Sequence, residues 1–133
     1  MSILDIDKDF RILVKAGELA DYTIKITDNP KRFAKKYRFT FINRMQNISL
    51  DIYELINTAN ELNTNDRIAL EQRLRLQNQA ITKCKTLLFL INLCYKNEKI
   101  ALNERQAIAW AKYVVNVKNM TIKWHNQDRM KRK

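Results

Sequence analysis

The stretch Phe41–Leu62, FINRMQNISLDIYELINTANEL, decides the fold. Within it Phe41, Met45, Ile48, Ile52, Leu55, Ala59 and Leu62 recur at alternating spacings of four and three. Side chains spaced this way share one side of an α-helix, and the alternation is the seam of a helix bundle. Thr40 precedes the stripe and is the expected N-cap. The polar run Asn60–Asp66, NELNTND, ends it. The spacing predicts a helix over 39–62.

Working outward, three more segments repeat the pattern. Phe10, Leu13, Gly17, Ala20 and Ile24 form one stripe, with Ile12, Ala16, Leu19, Thr23 and Ile26 beside it. They predict a helix over 7–28, stopped at Pro30 because the residue before proline is pushed out of the α region. Leu70, Leu74, Gln77, Ile81, Cys84, Leu88, Ile91 and Tyr95 predict a long helix over 66–97. Ala107, Trp110, Val114, Val117, Thr121 and Trp124, flanked by Ile108, Ala111, Val115 and Ile122, predict a fourth over 103–127, with Asn103 as N-cap. The chain has one glycine and one proline in 133 residues. Hairpins and tight turns need these residues repeatedly, so the chain is poor material for a sandwich or barrel. The expected fold is all-α, an antiparallel up-down-up-down four-helix bundle. Residues 1–133 form one domain, with 1–6 and the basic end 129–133 expected to fray. The second half of the third helix, TLLFLINLCY, is apolar on more sides than one bundle core needs. That girth predicts a symmetric homo-oligomer.

The chemistry of catalysis is sparse. His125 is the single histidine, and Ser2 and Ser49 are the only serines. Ser49 falls mid-helix with no glycine elbow. No phosphate-binding glycine loop is present. Asp5, Asp7 and Asp9 imitate the start of a calcium loop, but Phe10 stands where glycine is required and Ala16 where glutamate is. They read as acids at the start of a helix, favoured by its dipole. Cys84 and Cys94 on one helix lie about 15 Å apart, beyond the ~7 Å that a disulfide spans. They read as buried thiols in a reducing compartment. No catalytic group, metal site or cofactor is expected. The opening MSILDIDKDF lacks a basic leader and a long apolar run, and no segment reaches ~18 apolar residues. A cytoplasmic protein without a membrane span is expected.

Charge is the informative feature. Lys and Arg number 25 against 14 acids, a net charge of +11. Such an excess suits a polyanionic partner: nucleic acid, an acidic membrane surface or an acidic protein. Lys31, Arg32, Lys35, Lys36, Arg38 and Arg44 lie in a stretch with no Asp or Glu. On the fourth helix Lys112, Asn116, Asn119 and Lys123 share a face, and on the third Arg67, Glu71, Arg75, Asn78, Thr82 and Lys85 do. Two separate acid-free regions favour phosphate-backbone binding over a merely solvated surface. The candidate nucleic-acid-binding residues are therefore Lys31, Arg32, Lys35, Lys36, Arg38, Arg44, Lys112 and Lys123. Arg38 has a second reading, as a cap or ion-pair partner across the bundle. The interleaved Phe33, Tyr37 and Phe39 either stack on bases or pack the connection onto the core.

The segment Phe33–Leu62 also resembles the accessory variability determinant proteins (Avd) of diversity-generating retroelements. These group with the four-helix-bundle proteins encoded in bacterial 23S rRNA intervening sequences. The resemblance runs through Phe33, the pair Lys35-Lys36 and the step Arg38-Phe39-Thr40. It continues through Arg44, Asn47, Leu50-Asp51, Glu54-Leu55-Ile56 and Ala59-Asn60, and again in LLFLINLCYKNEKIALNERQ. Ala34 stands where the family usually has proline, and Ile122-Lys123 where it often has two glycines. The resemblance implies a homopentamer that binds the retroelement's reverse transcriptase and its template RNA, supporting mutagenic cDNA synthesis without catalysing it. Two other readings stay open: a relative of the intervening-sequence proteins with no polymerase partner, and a structural oligomer or adaptor for acidic proteins.

Overall fold

Two of the four helices of this chain begin at side chains that satisfy backbone N–H groups left free by the first turn. The computed structural model describes residues 10–132. Four α-helices account for most of them: α1 (Arg11–Thr27), α2 (Asn43–Glu61), α3 (Arg67–Lys96) and α4 (Glu104–Arg129). There is no strand among the described residues. Asp66 caps α3 by accepting from the Ile68 N–H at 3.3 Å. Asn103 and Gln106 form a reciprocal capping box at the start of α4, with bonds of 2.8 and 3.0 Å. Asx turns at Asn29, Asn63 and Asn97 shape the three connections.

The sequence expectations differ from the structure mainly at the entry to α2. Thr40 is not an N-cap. Lys35–Tyr37 form one 3-10 turn and Arg38–Ile42 one π turn, which runs directly into α2. The Asn43 N–H reaches back to the Arg38 carbonyl. A π turn inserts one extra residue into the helical winding. Here Phe41 turns inward, nearly buried, while Phe39 is left 83% exposed. The expected start of the first helix at Asp7, and the reading of Asp5, Asp7 and Asp9, lie outside the described residues. Residues 130–132 of the expected frayed end make contacts: Lys131 Nζ reaches Asp128 Oδ1 at 3.2 Å, and Arg132 Nη2 donates to Glu71 Oε2 at 2.6 Å.

Each helix packs against the next in sequence, and α4 closes back on α1. The buried stripe of α4 runs through Ala107, Trp110, Val114, Val117, Thr121 and Trp124, as its spacing predicts. On α1 the deep stripe is Ile12, Ala16, Leu19, Thr23 and Ile26. Strict heptad spacing drifts by about 20° per seven residues in a straight helix. Accordingly Ile56 replaces Leu55 in the core of α2. On α3 Ala80, Leu87 and Cys94 join the seam, while Tyr95 stays exposed. Both cysteines are buried free thiols, and burial pushes each up to about 12. The Cys94 thiol meets the Met45 sulfur at 3.7 Å, joining α3 to α2.

The two ends are held differently. At one end Thr27 and Asp28 accept from the Gln46 amide at 2.9 and 2.8 Å, tying the exit of α1 to α2. There too Ala101 donates its N–H to the Arg32 carbonyl at 3.1 Å, joining the α1–α2 and α3–α4 connections. At the other end Asp128, 1% exposed, accepts 2.7 Å bonds from Arg73 Nε and Gln77 Nε2. Arg73 also donates to the Leu62 carbonyl at 3.0 Å and stacks 4.8 Å from the Trp124 ring.

Burial alone would raise the Asp128 carboxyl, but hydrogen bonds from Arg73, Gln77 and Lys131, with the charge of Arg73, hold it below the ordinary carboxylate value. A depressed folded value means the stabilisation is present above the unfolded carboxyl pKa and is lost as pH falls through the folded one. Asp128→Asn is expected to cost about 3 kcal/mol near neutrality, because Arg73 is left without its countercharge. The gap between parent and variant, measured by urea unfolding, should shrink as pH drops below about 4.

Candidate nucleic-acid interface

The cationic connection between α1 and α2 is anchored by its aromatics. Asn29 starts a tight turn in which the Arg32 and Phe33 N–H groups both donate to its carbonyl at 3.0 Å. Phe33 then drops into the core, 2% exposed, with its ring edge-on to Trp110 at 6.3 Å. Tyr37 packs on Phe41 at 5.9 Å. Of the three interleaved aromatics, two pack the connection and only Phe39 projects where a base can stack on it.

With Phe33 fixed inward, the neighbouring cations are turned out. Lys31, Lys35, Lys36 and Arg38 are exposed. The Lys36 ammonium rests 5.2 Å from the Tyr37 ring. Arg32 is half-buried, and its guanidinium donates to the Ala101 carbonyl at 3.3 Å. It is a latch between two connections as well as a charge. None of the eight cations named from the sequence forms an ion pair with a described residue. That includes Arg38, whose alternative role as an ion-pair partner finds no acid here.

The eight cations do not converge on one site. Lys112 and Lys123 are exposed on α4, about 16 Å apart along its axis. Lys112 borders a shallow depression with Arg105 and Ile108, and Lys123 another with Asn119 and Asn126. Arg44 belongs to a third surface, an open groove of about 1140 Å³ over α3, flanked by α2 and by the end of α4. The groove adds cations that sequence reasoning did not select: Arg75, Lys83, Arg129 and Arg132. The α3 face of Arg75, Asn78 and Thr82 was visible in the spacing. Its flanking by Arg44 and Arg129 depends on helix packing, which no local pattern carries.

Other reactive groups are occupied or dispersed. The Ser49 hydroxyl is buried and donates to the Gln46 carbonyl at 2.8 Å. His125 lines the groove, and burial, with the charges of Arg129 and Arg132, lowers its pKa. Among the described residues no group of three His, Cys, Asp or Glu is placed to hold a metal ion. No helix of the described residues is long and apolar enough to cross a membrane. No protein-family model matches the chain, and no curated protein or solved structure is significantly similar to it.

The double role of Arg32 separates it from its neighbours. Arg32→Ala is expected to lower stability by about 1 kcal/mol through the lost bond to Ala101, visible as a fall of about 4 °C in Tm. Lys35→Ala, on an exposed turn, should leave Tm within about 1 °C. Equal shifts in the two variants would show that the latch contributes nothing.

Proposed function

We propose that the chain is a non-catalytic nucleic-acid-binding subunit, and that it serves as an accessory protein of a reverse transcriptase by engaging that enzyme and its template RNA. The observation that carries the binding half is the connection Lys31–Arg38. Its five cations face no carboxylate partner among the described residues, and four of them stand exposed. Unpaired cations on a turn pinned by Phe33 can neutralise phosphates without first breaking an internal ion pair. Phe39 beside them supplies a face for an unpaired base. The accessory role rests on the resemblance of Phe33–Leu62 to the Avd proteins.

The same proposal includes the antiparallel up-down-up-down course of the helices. Supporting it are contacts that gather the α1–α2 and α3–α4 connections at one end, through Arg32 and Ala101, and the beginning of α1 with the end of α4 at the other, where Phe10 meets Trp124 at 4.9 Å. It also includes self-association, as a pentamer by the resemblance. Phe89 is 60% exposed on α3, and Leu93, one turn further along the same face, is exposed as well. A row of large apolar side chains is what a second copy would cover. Light scattering at micromolar concentration is expected to give a mass several times 15.9 kDa, and Phe89→Lys with Leu93→Lys to reduce it. A parent mass of one chain removes the oligomer from the proposal.

Binding is tested with a single-stranded RNA across a salt series. Affinity should fall steeply with salt, by a logarithmic slope of about −0.7 for each phosphate neutralised. The variant with Lys31, Arg32, Lys35 and Lys36 all replaced by Glu should bind every sequence more weakly and with a flatter slope, while keeping its helicity. If that variant folds and binds as tightly as the parent, the connection is only a solvated turn.

A further inference from the structure

The groove over α3 presents a different combination of groups from the connection. Five cations line it, Arg44, Arg75, Lys83, Arg129 and Arg132, against three acids, Asp51, Glu54 and Glu71. Two of the acids are already engaged: Asp51 with Lys83 at 3.3 Å, and Glu71 with Arg132 at 2.6 Å. Arg44, Arg75 and Arg129 have no ion-pair partner among the described residues. The lining also carries the amides of Asn47, Asn78 and Gln79 and the hydroxyls of Thr82 and Thr86, and Ile48, Leu55 and Leu74 add apolar surface. From Glu71 to Thr86 the α3 wall runs about 22 Å.

We infer that this groove is a binding track for a single strand of nucleic acid, separate from the cationic connection. The inference rests on the proposed nucleic-acid function and assigns it a second surface. Free guanidiniums bind phosphates in bidentate fashion. The amides and hydroxyls between them present donors and acceptors to unpaired base edges, which a duplex keeps turned inward. At about 3.4 Å per stacked nucleotide, the length accommodates about six. Arg44, on α2, faces the same groove as Arg75, on α3, so a strand lying in it is contacted from two helices. Among the described residues Glu54 is the one acid of the groove without an ion-pair partner, and it opposes the strand.

His125 gives the groove an internal reporter. It is the only histidine of the chain. Arg129, Arg132 and Asp128 act on it from its own end of the chain, the Asn126 side chain bonds it, and Glu71, Arg75, Arg44, Asp51, Lys83 and Glu54 line the groove from α3 and α2. A phosphate bound beside Arg129 and Arg132 offsets the charges that disfavour its protonation, so its pKa rises on binding.

The test uses the full chain at low salt, with a short oligouridylate followed by fluorescence anisotropy and by the His125 proton resonances. Arg44→Glu with Arg75→Glu is expected to raise Kd about tenfold or more, and to flatten the salt slope by about 0.7 for each phosphate no longer neutralised. Lys15→Glu with Lys25→Glu changes the net charge equally on α1 and should leave Kd within about threefold, since distant charges are screened. Glu54→Gln should tighten binding, and the oligouridylate should raise the His125 pKa in the parent. Parental affinity in the folded Arg44, Arg75 variant, with His125 unmoved in the parent, overturns the groove while the connection variant still tests the proposed function. Duplex RNA binding that depends equally on Arg44 and Arg75 overturns the assignment to a single strand. No binding of any RNA by the parent overturns both readings. Should the double variant fail to fold, Arg75→Gln and the His125 titration of the parent decide in its place.

Discussion

The indole of Trp110 is the constraint on which the surrounding structure depends. It is fully buried, so its N–H must find an acceptor inside the protein. Thr23 of α1 provides one at 3.0 Å, through a side chain that is itself buried. The ring edge of Phe33 closes over the same indole. One residue of α4 thereby fixes the position of α1 and the inward turn of the connection that follows it. The outward display of Lys31, Lys35 and Lys36 follows from that inward turn, because their neighbours in the chain are held down.

The opposite end uses charge where the Trp110 end uses an aromatic plug. Asp128 sits among Arg73, Gln77 and Lys131, with the Trp124 ring under the guanidinium. Burying a carboxylate costs several kcal/mol unless every lone pair is used, and three donors meet it here. The Gln77 amide points its nitrogen at Asp128, which leaves its own Oε1 buried with no hydrogen-bond partner among the described residues. The same bond joins α3 to α4 through Gln77 and Asp128.

These two anchors bear on the proposed function because they hold the elements that carry the cations. The connection at one end is pinned by Phe33, and the groove over α3 is framed by α2, α3 and the end of α4, so the backbone that carries both sets of cations is fixed by packing. Arg32 belongs to both roles, since the guanidinium that holds Ala101 also faces the cationic turn. The exposed pair Phe89 and Leu93 lies on the same helix as Arg75 and Lys83, which sets an apolar patch next to a charged one.

The sequence by itself determined the helical class, the number of helices and the deep stripe of α4. Each rests on local spacing, and the scarcity of glycine and proline removed the alternatives. It also marked the acid-free connection, since charge runs are visible residue by residue. Only the tertiary structure decided the π turn before α2, which leaves Phe41 inward and Phe39 outward and is invisible to a cap motif at Thr40. Packing likewise decided that Ile56 rather than Leu55 enters the core, because a helix of about 3.6 residues per turn drifts from a strict repeat. The groove over α3 was out of reach for a similar reason. Arg44 and Arg75 lie 31 residues apart in the chain, and only the packing of α2 against α3 brings their side chains to one surface.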